Sequence, residues 1–66
     1  MEDVYALSDV QIQTKIGEKI KATRLKQNIT QESLAESALI SRSSVQKVES
    51  GKIKSFDTFL RILRTL

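Results

Sequence analysis

The stretch TQESLAESALISRSSVQKVESG, residues 30–51, decides how this chain folds. It holds two helix start signals and one stop. Thr30 is a good N-cap, because its hydroxyl can accept a hydrogen bond from a backbone N–H of the first turn. The segment QESLAESA behind it places Leu34, Ala35 and Ala38 on one face. Ser41 is the next such cap and opens a helix over residues 42–50, RSSVQKVES, with Val45 and Val48 inward at i, i+3 spacing. Gly51 ends it, as a glycine just past a helix does. Two short helices and a tight connection follow from these residues alone.

The flanking sequence adds a helix on each side. Ser8 stands three residues before Gln11, which makes a capping box, and Asp9 suits the positive end of the helix dipole. Leu7 and Ile12 are placed as a hydrophobic staple across that cap. Ile12, Ile16 and Ile20 then recur at i+4 spacing as a stripe facing a core, and Asn28 can end the helix in a left-handed conformation. Downstream, Ser55 caps FDTFLRILRTL, whose apolar residues Phe56, Phe59, Leu60, Ile62, Leu63 and Leu66 cover much of its circumference. Such a helix needs cover on most sides, from a further helix beyond Leu66 or from a second subunit. Phe56, Phe59 and Tyr5 are read as core or interface side chains. Period-2 alternation is nowhere sustained, so the expected class is all-α, in one domain over residues 8–66 with an arm at residues 1–7.

Composition narrows the chemistry. The chain has 66 residues, net charge +3, no cysteine and no histidine. Zinc sites of Cys and His, disulfides and His-based nucleophile pairs are therefore excluded. With only Gly17 and Gly51, no glycine-rich phosphate loop exists, and an enzyme or a cofactor is not expected. No apolar run reaches membrane-spanning length, and the acidic start MEDVYALSD is unlike a signal peptide, so the expected location is the cytoplasm, away from membranes. The charge is unevenly spread. Residues 1–37 carry five basic and six acidic side chains, whereas residues 38–66 carry six basic and two acidic ones. A basic half points to an anionic partner.

Two short helices joined by about three residues within a helical domain make a helix-turn-helix arrangement, whose second helix can enter the major groove of duplex DNA. Arg42, Ser43, Gln46 and Lys47 face outward on that helix. At this point the run from Thr30 to Gly51 resembles the Xre/Cro/phage-repressor family, with its pattern TQxxLAxxxGϕSxxxϕxxϕExG, where ϕ is aliphatic. The upstream Ile16-Gly17, Ile20 and Arg24 and the downstream SFDT at 55–58 resemble it too.

The resemblance implies a lambda-repressor-like domain of five helices, four of them legible here, the fifth missing or truncated. It implies a sequence-specific transcriptional regulator, a dimeric repressor whose partner is double-stranded DNA. Ser41, Arg42, Ser43, Gln46 and Lys47 match base-reading positions, while Gln31, Lys52 and Lys54 match phosphate-contacting ones. Arg24 and Glu49 match the family's internal ion pair. The segments YALSD and RILRTL are also similar to HipB-type antitoxins, which implies an alternative: a DNA-binding autorepressor that also holds a toxin protein. The sequence departs from the family pattern twice. Leu39 stands where the family has glycine, and a leucine at positive φ costs on the order of 1 kcal/mol, which favours an altered turn. Thr23 replaces an aliphatic residue, which weakens the first helix's core face.

Overall fold

The computed structural model describes residues 8–66 as four helices: α1 (Asp9–Lys26), α2 (Gln31–Ala38), α3 (Arg42–Glu49) and α4 (Phe56–Thr65). The expected arm at residues 1–7, with Tyr5 and the Leu7 half of the staple, lies outside the described residues. No strand occurs among those described. Nor is any of these helices long and apolar enough to cross a membrane.

Each helix starts on a hydroxyl. Ser8, Thr30, Ser41 and Ser55 accept from the backbone N–H groups of Gln11, Ser33, Ser44 and Thr58 at 3.2, 3.0, 3.1 and 3.3 Å. The Gln11 side chain returns a bond to the Ser8 N–H at 2.8 Å, which closes the capping box. These contacts satisfy N–H groups that have no partner within the helix.

The first three helices also end alike. After α1, Ile29 N–H donates to the Arg24 carbonyl and Asn28 N–H to the Leu25 carbonyl. The same pair of bonds recurs after α2, from Ile40 to Ala35 and Leu39 to Glu36, and after α3, from Lys52 to Lys47 and Gly51 to Val48. Each is a Schellman ending, and it demands a left-handed residue at the centre. Asn28 and Leu39 both have φ 58° and Gly51 has φ 88°. The turn before α3 is therefore not altered. Leu39 takes the glycine conformation and carries the strain, with its side chain 81% exposed. The third helix ends one residue earlier than residues 42–50 suggest, because Ser50 is its C-cap.

Ile20, Leu34, Ala35, Val45, Val48 and Ile62 form the buried core, with Ile16, Ile29, Ile40, Ile53, Phe59 and Leu66 packed against it. α3 lies against all three other helices, and α2 also packs on α4. Close approach is obtained with small residues. A Cβ at Gly17 would lie 2.5 Å from the Val48 carbonyl oxygen and 2.7 Å from that of Glu49. Gly17 thus lets α1 touch the backbone of α3. Thr23 is half-buried, and its hydroxyl donates to the Lys19 carbonyl at 2.9 Å, so it brings no unpaired polar group into the core face.

Two stability predictions follow from these backbone facts. Leu39→Gly should stabilise the domain by about 1 kcal/mol, since it relieves a left-handed leucine and removes an exposed side chain. Gly17→Ala should destabilise it by about 1–3 kcal/mol through overpacking, although alanine is the better helix former. Urea unfolding followed by far-UV circular dichroism measures both. A Gly17→Ala variant as stable as the parent would mean that α1 and α3 are not in contact at that backbone.

Candidate nucleic-acid interface

α3 is amphipathic in the way a reading helix requires. Val45, Val48 and Glu49 are buried, while Arg42, Ser43, Gln46 and Lys47 are exposed, as is the capping Ser41. Arg42 and Gln46 are four residues apart, as are Ser43 and Lys47, so each pair shares a neighbouring strip of the helix surface.

Beneath this surface lies a buried polar chain. The Arg24 Nε donates to Glu49 Oε2 at 2.6 Å, and its Nη2 donates to Oε1 at 3.2 Å, a two-pronged pair with side chains 8% and 4% exposed. Arg24 Nη1 donates to the Ile29 carbonyl at 2.7 Å. The Gln31 Nε2 donates to Glu49 Oε1 at 3.1 Å, and the Gln31 Oε1 accepts from Gln46 Nε2 at 3.5 Å. The chain Arg24–Glu49–Gln31–Gln46 thus runs from the interior to the exposed face of α3. Because the Glu49 carboxylate only accepts, it fixes which end of the Gln31 amide faces inward, and so which end meets Gln46.

Arg42 is held at the other end of α3. Its Nη1 donates to the Glu32 carboxylate of α2 at 3.2 Å, in an ion pair more than half exposed on both sides. An exposed pair of this kind contributes about 0–1 kcal/mol, so it restricts the guanidinium without sequestering it.

The loop after α3 is anchored rather than loose. Lys52 N–H donates to the Lys47 carbonyl at 2.8 Å, and Ile53 N–H donates to the Gln13 side chain of α1 at 3.3 Å. Lys47, Lys52 and Lys54 consequently line one open groove with Ser44, Ser55 and Thr58. Three ammonium groups around a groove that ends at the capped N-terminus of α4 suit an anion such as phosphate. Of the residues singled out by sequence, Arg42, Ser43 and Gln46 lie on the exposed face of α3, Ser41 caps its N-terminus, and Lys47 joins Lys52 and Lys54. Gln31 lies half-buried between the ion pair and that face. Sequence reasoning missed Glu32 and Gln13, and it noted Gly17 without the close approach to α3 that Gly17 permits. Glu32 shows in the sequence only as an acidic residue in the first turn of α2, and neither its contact with Arg42 nor that between Gln13 and Ile53 leaves a local signal.

Removing Glu49 strands a buried guanidinium, and breaking such a pair costs about 3–5 kcal/mol. Glu49→Ala should therefore leave the domain largely unfolded in water at 25 °C, whereas Glu32→Ala should change its stability by less than about 1 kcal/mol. Thermal melts of the two variants side by side check the contrast. Equal melting temperatures would show that Glu49 is not the buried anchor.

Comparison with known proteins agrees with this geometry. No curated protein matches the chain. The sequence model of a helix-turn-helix family matches residues 20–66, which include Arg24, α2, α3 and all of α4. This family consists of DNA-binding regulatory domains. With the match extending over most of its length, the chain belongs to the Xre/Cro-type helix-turn-helix family.

Proposed function

We propose that this chain is a sequence-specific transcriptional regulator, a repressor acting in the cytoplasm as a homodimer on a two-fold-related DNA site. The observation that carries the proposal is the exposed face of α3. It offers the Arg42 guanidinium, the Gln46 amide and the Ser43 hydroxyl, with the capping Ser41 beside them, on a helix whose diameter of about 10–12 Å with its side chains fits a major groove about 12 Å wide. Arg42 can donate two bonds to guanine O6 and N7, and the Gln46 amide can both donate to and accept from adenine. Ser41 and Ser43 supply shorter hydroxyl contacts. Lys52, Lys54 and Gln31 are assigned to the phosphates, and Lys47 lies between the two sets. A single helix reads only a few base pairs, so two half-sites one turn apart multiply the discrimination. No catalytic role is assigned to any residue.

The alternative is the antitoxin-type module, in which the same DNA-binding surface coexists with a toxin-holding one. It rests on the likeness of the RILRTL ending to antitoxins of this type. Co-purification of a second, different chain with the full-length protein would move the assignment to it.

The test is fluorescence anisotropy with a randomised duplex pool at two salt concentrations. Salt-dependent binding that enriches a palindromic subset is expected. With the selected duplex, Arg42→Ala should lose about 1–3 kcal/mol of specific binding while the fold persists. Lys52→Ala should weaken all sequences alike and lower the salt slope by about 1. Wild-type affinity for the selected duplex in Arg42→Ala would remove α3 as the reading helix.

A further inference from the structure

α4 has two apolar faces. Ile62 is fully buried, and Phe59 and Leu66 pack against the core. Phe56, Leu60 and Leu63 remain 71%, 37% and 45% exposed. Their spacing of four and then three residues is that of a coiled-coil seam, so the three side chains form one ridge along the helix.

The charges beside the ridge are arranged with a direction. Asp57 lies in the first turn and Arg64 in the last. Each directly follows a ridge residue, and their separation of seven residues puts both on the same flank. When two identical helices pack antiparallel about a two-fold axis, equal flanks meet with their ends exchanged. Asp57 then falls beside the partner's Arg64, and the contact occurs twice. A parallel pairing would bring that charged flank against the one carrying Phe59 and Leu66, which the core already uses.

We propose that the ridge is an interface between two copies of this chain, with their α4 helices antiparallel. Leu60 lies at the two-fold axis, Phe56 meets the partner's Leu63, and Asp57 pairs with the partner's Arg64 at both ends. The contact is isologous, so it closes at two subunits. It rests on the homodimer assigned above and gives that dimer its surface. One ridge of three side chains is smaller than a standard interface of about 1,200–2,000 Å². The free dimer is therefore weak, and binding to two adjacent half-sites is what holds it together.

Sedimentation equilibrium from about 10 μM to 1 mM, at low salt, tests this, since a weak dimer dissociates in that range. The wild-type chain should show a reversible monomer–dimer equilibrium, and Leu60→Glu should be monomeric throughout. Asp57→Arg and Arg64→Asp should each weaken self-association by about tenfold or more, because each places like charges together at both ends. Mixed in equal amounts, the two variants regain opposite charges at both ends, and association should return to within about threefold of wild type. Circular dichroism checks that each remains helical. If a reversal unfolds α4, Asp57→Asn and Arg64→Gln take its place, each weakening the dimer severalfold.

A wild-type monomer at 1 mM, a dimer indifferent to Leu60→Glu, association only with a different protein, or no recovery on mixing would each overturn the proposal. The DNA assignment is tested separately. A monomeric Leu60→Glu chain that still binds one selected half-site in an Arg42-dependent way leaves α3 as the reading helix, whatever happens at α4. A wild-type dimer that behaves as described yet binds no duplex keeps the interface and discards the DNA assignment.

Discussion

The domain depends on one buried ion pair. Arg24 and Glu49 come from α1 and α3, and neither can be taken out of water without full compensation. Compensation is complete here. The guanidinium divides its donors between the Glu49 carboxylate and the Ile29 carbonyl, and Glu49 also accepts from Gln31. Among the described residues no buried side-chain polar atom lacks a partner. A lysine could not replace Arg24, since a single ammonium lacks the planar fork that reaches two segments at once. The pair thereby fixes the angle between α1 and α3, and with it the direction in which Arg42 and Gln46 face.

Around this anchor, a small core is made sufficient by close packing. Leu34, Val45 and Ile62 are fully buried, and Ala35, Ala38 and Gly17 permit the helices to approach them. A domain of this size buries only about 60% of its unfolded surface, so side chains alone leave little surplus. Hydrogen-bonded helix ends supply what a larger core would otherwise give. Four hydroxyl caps and three identical C-terminal endings satisfy backbone groups that short helices leave open in large proportion.

The fold was largely legible in the sequence because its punctuation is local. Ser8, Thr30, Ser41 and Ser55 each mark a helix start within three residues, and Asn28 and Gly51 mark ends. Leu39 was the exception. Its steric preference argues against a left-handed turn, but the Ile40–Ala35 and Leu39–Glu36 hydrogen bonds and the packing of α2 on α3 impose one. The outward residues of α3 followed from helical periodicity. What the sequence could not show was which of them are joined to others: Arg42 to Glu32, Gln46 to Gln31, and the Lys52–Lys54 loop to Gln13. Those links depend on how separate helices cross, which no short-range pattern records. On α4 the sequence showed an excess of apolar residues, and only the packing separated Ile62, Phe59 and Leu66 from Phe56, Leu60 and Leu63.

The polar chain that ends at Gln46 also governs how freely the residues of this surface could vary. Ser43 takes no part in that chain, so replacements there act on their own, and their effects should add to those of other distant changes. Gln46 shares a hydrogen bond with Gln31, which is oriented by Glu49, itself committed to Arg24. A new side chain at position 46 therefore meets a Gln31 oxygen that Glu49 keeps pointing outward, and its effect depends in part on position 31. Diversity can accumulate at position 43 one step at a time, whereas at position 46 the outward oxygen of Gln31 favours side chains that can donate to it.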